Sequence, residues 1–233
     1  MKPDLFSLRE QEIFNTLLQL RDCDFAVIGG YAVNAYALPR FSVDCDIVVN
    51  DAEKLHEIEK ILLKIGYKKE DSPEMQYSGN FARYEKKLEN SFSVSIDVLI
   101  GKVTDRMTGV TFSAEWISQH SEKKHLKGKT ITEEIQLKII DIDALIVMKI
   151  ISCRATDIRD VFMMLPNAKN KEWIKSEISS RYDLKDRIAK MAEKVASKQF
   201  KDGLSGIYGY FDAKVFEKHK KAIISLQNSI ILM

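Results

Sequence analysis

Glycine, proline and cysteine are all scarce in this 233-residue chain, which holds ten glycines, four prolines and three cysteines. So little glycine and proline argues against long linkers or disordered segments. The cysteines Cys23, Cys45 and Cys153 are widely spaced and form no Cys-x-x-Cys pair. The sequence therefore indicates neither a disulfide framework nor a structural zinc site, and a reducing cytoplasm is the compartment we expect.

Long apolar runs are missing as well, because no stretch approaches the roughly 20 residues that span a bilayer. The first residues, MKPDLFSLRE, lack the apolar centre of a signal peptide. We therefore expect a soluble, cytoplasmic protein without a membrane partner. The formal net charge is only +2, which gives no global argument for nucleic-acid binding but leaves room for a local basic face.

The hydrophobic pattern predicts an α+β fold, a small mixed β-sheet with helices on one side and a helical C-terminal region. The elements run β-α-β-α-β-β up to about residue 112, after an opening helix over residues 5–21. Asp51 is the expected N-cap of the second long helix, and Gly66 its expected end. A turn at 89–91 separates two alternating strands, and one long helix covers 183–200. We divide the chain into domains at 1–140 and 141–233.

Two aspartates, Asp44 and Asp46, interrupt a strand that otherwise reads as buried, SVDCDIVV. Residues i and i+2 of a strand share a face, so both carboxylates project together and Cys45 points into the core. Side-by-side carboxylates repel each other, and a divalent cation removes that cost. Asp97 stands alone in another apolar strand, and it would complete a three-carboxylate cluster if that strand neighbours the first. Such a cluster can hold two Mg²⁺ ions about 3.5–4 Å apart for phosphoryl transfer, with the third acid able to take a proton.

The phosphate side of this site is predicted from residues just before the aspartates. Gly29 and Gly30 end a strand and open a helix, so their backbone can approach a phosphate closely. Arg40 and Ser42 stand ready to contact phosphate oxygens through a guanidinium and a hydroxyl.

The combined pattern GG…R-x-S-x-D-x-D, followed by an isolated strand aspartate, resembles the DNA polymerase β-type nucleotidyltransferase superfamily. The resemblance matches Gly29 and Gly30 to the glycine motif, and it implies that residues 1–140 form a nucleotidyltransferase core. It also implies a metal site of Asp44, Asp46 and Asp97. Ser42 stands where the superfamily usually has threonine.

A later segment, IIDIDALIVMKIISCRATDIRDVFMML, resembles the helix pair of AbiEii-like nucleotidyltransferases. By this resemblance Lys149 would reach the nucleotide triphosphate, with Asp157 and Asp160 bracing it or nearby basic residues. Thr156 replaces the usual lysine of the motif. The likeness extends over roughly residues 20–165 and leaves the last seventy residues without a counterpart.

The resemblance implies a Mg²⁺-dependent enzyme that transfers a nucleoside monophosphate from an NTP to a hydroxyl and releases pyrophosphate. The AbiEii likeness suggests a toxin with an antitoxin partner and tRNA as acceptor. A small-molecule transferase of the aminoglycoside-modifying kind is an alternative, and so is a nucleotide-binding scaffold without turnover. The scaffold fits less well because all three acids are kept.

Each site residue also has a simpler explanation. Asp44 and Asp46 could lie in a turn or at a solvated edge, and Ser42 could be a strand-edge hydroxyl. Arg40 could belong to a surface salt bridge. Lys149 could extend its ammonium from a helix to water. The sequence alone leaves these alternatives open.

Overall fold

The structure is a computed structural model, and it describes residues 4–70, 80–89 and 92–231. The α-helices are α1 (Leu5–Leu20), α2 (Gly29–Val33), α3 (Ala52–Lys64), α4 (Ala114–Gln119), α5 (Ile142–Ser152), α6 (Ala155–Met164), α7 (Lys171–Ser179), α8 (Leu184–Ala196), α9 (Lys198–Tyr208) and α10 (Ala213–Ile231). The strands are β1 (Ala26–Val27), β2 (Asp44–Val49), β3 (Lys68–Lys69), β4 (Phe81–Lys87), β5 (Ser93–Ile100), β6 (Lys102–Thr104), β7 (Thr111–Ser113), β8 (Ser121–Leu126) and β9 (Ile135–Ile140). Among the described helices, none is both long and apolar enough to cross a membrane.

Two compact units make up the chain. The first comprises residues 1–35, 39–104 and 111–141, and the second comprises 36–38, 105–110 and 142–233. The sequence suggests a single boundary after residue 140. In the structure, residues 36–38 and 105–110 also belong to the second unit.

The first unit is built on a seven-stranded sheet in the order β3-β4-β5-β2-β1-β9-β8. Strand β2 pairs parallel with β5 and antiparallel with β1, while β1 pairs parallel with β9. Strands β4 and β5 pair antiparallel along their length, as the sequence predicted. The connecting turn predicted at 89–91 lies partly outside the described residues. The mixed sheet is confirmed, and β2 occupies an interior position in it.

Helices α1 and α3 cover the apolar face of this sheet. Cys45 and Ile47 of β2 are fully buried, as is Ile96 of β5. Helix α1 contributes Ile13 and Phe14 to the same core. Because neighbouring residues of a strand face opposite ways, burial of Cys45 leaves the aspartates on either side of it on the other face.

Local signals set the ends of α3. The Asp51 carboxylate accepts hydrogen bonds from the backbone N–H groups of Glu53 and Lys54, each at 3.0 Å. Gly66 follows the helix with a φ of +95°, a conformation that favours glycine. Both predicted end signals are confirmed.

The second unit packs its helices around α5. Ten of the eleven residues of α5 are buried, which is typical of a central helix. Helices α6, α7 and α8 contact α5, and α10 contacts α6 and α8. A helical C-terminal region is therefore confirmed.

The single long helix predicted over 183–200 is wrong, because the chain breaks at Ser197. That residue has extended backbone angles, φ −74° and ψ 144°, and its hydroxyl caps α9 by accepting from the Phe200 N–H at 3.1 Å. A serine cap satisfies an N–H group that a new helix would otherwise leave unpaired.

The helix that Gly29 and Gly30 were expected to open is the short α2. Both Gly29 and Gly30 lie inside it, and the chain turns from Asn34 onward. The Asn34 side-chain amide donates to the Arg40 carbonyl at 2.9 Å and accepts from the Arg40 backbone N–H at 3.1 Å. These two hydrogen bonds favour a turn at this point rather than continuation of the helix.

Candidate active site

Asp44 and Asp46 lie on the face of the sheet opposite Cys45, and both are partly exposed. The parallel register between β2 and β5 sets Asp46 directly beside Asp97 and sets Asp44 beside Ser95. The alternative that the two aspartates occupy a turn or a sheet edge is wrong, because β2 is an interior strand. Three carboxylates therefore occupy one face across two neighbouring strands.

The glycine pair is in direct contact with this strand. The Asp46 carboxylate lies where Gly29 would carry a Cβ, and Gly29 has a φ of +65°. The Ile28 N–H also donates to the Asp46 carbonyl at 3.0 Å. Glycine is required here for space and for backbone conformation alike, since an L side chain would be strained at this φ.

Gly30 brings together the two residues predicted to bind phosphate. The Ser42 hydroxyl lies where Gly30 would carry a Cβ, and the Nη2 atom of Arg40 is 3.3 Å from the same position. The structure thus groups Asp46, Ser42 and Arg40 around the glycine pair, although Arg40 and Ser42 follow the glycines by ten residues or more.

The Arg40 side chain is buried and hydrogen-bonded rather than extended over the protein surface. Only 7% of it is exposed, and its Nη1 donates to the carbonyl of Phe41 at 3.1 Å. The fully buried Asn34 fixes its backbone through the two hydrogen bonds described above. A surface salt bridge is therefore the wrong account of Arg40. Sequence reasoning missed Asn34, because an asparagine six residues before an arginine is not a recognisable signal.

Arg83 of β4 is the second residue that sequence reasoning missed. It stands opposite Asp97 in the β4–β5 register, and its Nε and Nη2 donate to the two Asp97 oxygens at 2.7 and 2.6 Å. Its Nη2 is also 3.8 Å from Asp44 Oδ2. The hydrogen bonds with Asp97 are the main reason why the pKa of Arg83 is raised above its usual value. Asp97 itself is only 5% exposed.

The three acids differ in how well their carboxylates suit a metal ion. Asp44 and Asp46 offer carboxylate oxygens on one partly exposed face, and such oxygens are the ligands that Mg²⁺ prefers. The oxygens of Asp97 both accept hydrogen bonds from Arg83. Across the described residues, no group of three or more histidine, cysteine or acidic side chains is arranged to hold an ion. The carboxylate oxygens of Asp44 and Asp46 therefore suit a hard cation chemically, while a bound ion and the three-carboxylate cluster stay predictions.

Lys149 belongs to the second unit, where it is part of a buried ionic cluster. Its Nζ is 3.0 Å from Asp157 Oδ1 and 2.8 Å from Asp160 Oδ2. Lys149 is 8% exposed and Asp160 is fully buried, so an ammonium that extends to water is the wrong account. The bracing aspartates implied by the resemblance are present.

Asp157 also ties this cluster to the start of α6. Its second oxygen accepts from the backbone N–H and the Nε of Arg154, at 3.3 and 2.7 Å. Burial by itself would raise the pKa of Asp157, but the Lys149 charge and the Arg154 hydrogen bond outweigh it and the pKa is lowered. Asp157 is thus a stable carboxylate that holds Lys149 and caps a helix.

This chain resembles known proteins in structure but not in sequence. No protein-family model matches this chain, and no curated protein matches its sequence. The solved structure of JHP933 from Helicobacter pylori matches with a TM-score of 0.53 and 13% identity, over 98% of this chain and 94% of that one. A candidate nucleotidyltransferase from H. pylori matches with a TM-score of 0.53 and 12% identity, over 96% of both chains. A nucleotidyltransferase-like antigenic protein from Paracoccidioides brasiliensis matches with a TM-score of 0.45 and 17% identity, over 76% of this chain and 86% of that one.

At such low identity the similarity concerns the fold, and the first two matches extend over nearly the whole of each chain. The predicted nucleotidyltransferase-type fold agrees with them, whereas the AbiEii subgroup stays a prediction. The chain therefore has a nucleotidyltransferase-like fold.

Proposed function

We propose that this protein is a nucleotidyltransferase, which moves a nucleoside monophosphate from an NTP to an acceptor hydroxyl. The observation that carries the proposal is the packing of Asp46, Ser42 and Arg40 around Gly29 and Gly30. That arrangement brings a proposed metal ligand close to the proposed phosphate-binding groups, which supports a site for an NTP–Mg²⁺ complex. The nucleotidyltransferase-like fold supports the same function.

Asp44 and Asp46 are the proposed ligands of Mg²⁺. When bound, the ion would neutralise phosphate charge and polarise the α-phosphoryl group. The two-ion arrangement implied by the superfamily resemblance would also need the Asp97 carboxylate, both of whose oxygens accept a hydrogen bond from Arg83.

The triphosphate is proposed to lie along Gly29 and Gly30, against Ser42 and Arg40. The glycines let phosphate oxygens approach the backbone, the Ser42 hydroxyl can donate one hydrogen bond, and the Arg40 guanidinium neutralises charge. We keep Lys149 as a proposed triphosphate ligand. To reach a phosphate, its ammonium has to exchange Asp157 and Asp160 for the new partner.

In the transfer step, the acceptor oxygen forms a bond to the α-phosphorus as the bond from that phosphorus to pyrophosphate breaks. The acceptor proton passes to a base, and Asp97 is the residue that the sequence predicts for this role. A carboxylate that accepts two hydrogen bonds from a guanidinium is a weakened base. Asp97 could therefore serve only after Arg83 has moved away from it.

For the acceptor we propose tRNA first, with the protein acting as a toxin neutralised by an antitoxin. The support is the AbiEii resemblance of the segment that contains Lys149, Asp157 and Asp160. A small molecule with a free hydroxyl is the second candidate. The acceptor and the antitoxin rest on this resemblance and on no contact within the structure.

The test is calorimetric titration of each NTP with and without Mg²⁺. We expect Mg²⁺-dependent binding to the wild type and none to Asp44→Asn/Asp46→Asn, which keeps the side-chain shapes but removes both charges. Asp22→Asn is the matched control, because that carboxylate belongs to the same unit and is 93% exposed. Incubation with α-labelled NTP and total RNA, and separately with aminoglycosides, would then identify the acceptor.

Absence of NTP binding by folded wild type, with any of Mg²⁺, Mn²⁺ or Co²⁺, would overturn the proposal. Binding without transfer to any acceptor would instead favour the nucleotide-binding scaffold. Label transferred to tRNA or to an aminoglycoside distinguishes the two acceptor classes directly.

A further inference from the structure

Arg83 lies between carboxylates that belong to two different strands. Its Nη2 is 2.6 Å from Asp97 Oδ2 on β5 and 3.8 Å from Asp44 Oδ2 on β2. Its Nε binds the other Asp97 oxygen at 2.7 Å. The guanidinium thus already places a positive charge close to a carboxylate oxygen of both Asp44 and Asp97.

The geometry and burial of the Arg83–Asp97 ion pair make it energetically costly to break. The two hydrogen bonds are parallel and charge-assisted, which is the strongest arrangement for arginine and a carboxylate. Asp97 is 5% exposed, so losing Arg83 would leave a buried charge without its partner. The β4–β5 register holds both residues opposite each other, so the contact does not depend on a long flexible segment.

A divalent ion beside Asp97 would also face electrostatic repulsion. The Arg83 side chain is 27% exposed, and its charge is shielded by water only in part. At separations of about 4 Å, such repulsion is several times stronger near a protein surface than in bulk water.

We propose that Arg83 is a positioning residue, which neutralises Asp97 and limits this face to a single divalent ion held by Asp44 and Asp46. This inference rests on the proposed function, because it concerns the same carboxylate site. Arg83 provides, as a fixed side chain, the positive charge that a second metal ion would provide in a two-ion site.

The experiment is a Mn²⁺ titration of the apoprotein, with free Mn²⁺ counted by electron paramagnetic resonance. We expect one bound Mn²⁺ per wild-type chain and two per chain of Arg83→Leu, in which Asp97 becomes available as a ligand. Lys87→Met is the matched control, because it removes one positive charge from an exposed position of the same strand. It should bind one Mn²⁺, as the wild type does.

Arg83→Leu leaves Asp97 buried without its partner and could fail to fold. The double variant Arg83→Leu/Asp97→Asn removes both charges together, and we expect it to bind one Mn²⁺ with an affinity within about threefold of the wild type, a difference below 1 kcal/mol. Circular dichroism on every variant establishes that the fold is kept.

Two Mn²⁺ ions on the wild type would overturn the inference, and so would a single ion on both the wild type and folded Arg83→Leu. A double variant that loses its ion would overturn it as well, because the ion would then depend on Asp97. Failure of the proposed function has a different signature, since folded wild type would then bind no Mn²⁺ at all.

Discussion

The Asp46 carboxylate lies directly against the backbone of Gly29, in the space where any other residue would carry its Cβ. Gly29 also has a φ of +65°, in the left-handed region that glycine favours. Two independent constraints therefore require glycine at this position. The contact joins the phosphate side of the proposed site to its metal side.

Gly29→Ala is expected to displace Asp46 as well as strain the backbone. Left-handed strain alone costs about 1–2 kcal/mol, and displacement of the carboxylate should weaken Mg²⁺-dependent NTP binding by about tenfold or more. Urea unfolding and calorimetric NTP titration measure the two effects separately.

Gly109→Ala is the control for backbone strain. Gly109 has a φ of +73°, and a Cβ added there would meet nothing within 4 Å. It should lose stability from strain but keep its NTP affinity. Equal NTP affinities in the two variants would contradict the role assigned to Gly29.

Asn34→Ala should loosen the segment that carries Arg40 and Ser42. The substitution leaves the Arg40 backbone N–H and carbonyl without their side-chain partners, and each buried unsatisfied group costs about 1–3 kcal/mol. We expect a lower free energy of unfolding and weaker NTP binding. Asn15→Ala, at an exposed helix position that bonds to Gln11, should change neither quantity appreciably. Identical results for the two variants would show that Asn34 has no special role.

Lys149→Met should destabilise the protein strongly because it leaves Asp157 and Asp160 buried without their shared cation. Removing one partner of a buried ion pair typically costs about 3–5 kcal/mol. Arg154→Ala removes a cation from the same cluster, but its side chain is 66% exposed, so about 1 kcal/mol or less is expected. Denaturant unfolding measures both. Similar losses in the two variants would mean that burial does not decide the strength of this cluster.

His219 should make the stability of the second unit depend on pH. Burial is the main reason why the pKa of His219 is lowered from its usual 6.5, and a hydrogen bond between its Nδ1 and the Phe162 carbonyl opposes the shift only in part. Well above pH 6.5 the ring is neutral in both states and costs nothing. Below that pH the unfolded state binds the proton more readily, so stability falls with falling pH.

His219→Gln should therefore lose less stability than the wild type between pH 7.5 and 5.5, as measured by urea unfolding at each pH. Its amide can still donate to the Phe162 carbonyl. His56→Gln, at a side chain that is 63% exposed, should keep the wild-type pH dependence. If the free energy of unfolding of His219→Gln depends on pH as that of the wild type does, His219 is not the cause of this dependence.

Much of the proposed site follows from local spacing. The strand period of two residues sets Asp44 and Asp46 on one face and Cys45 on the other, whatever lies around them. The cap at Asp51 is equally local, because the side chain reaches only the next two or three residues. The split between α8 and α9 was missed because serine, although favoured at caps, also occurs within helices, and the local sequence did not decide between the two.

The amino-acid sequence by itself determined which side chains share a face, where most helices begin and end, and which acids stand in apolar strands. Only the tertiary structure decided their partners: Arg83 for Asp97, and two aspartates for Lys149. Periodicity acts within one element, over distances that the backbone geometry sets. A partner on another strand or helix depends on register and packing, which arise only when the elements come together.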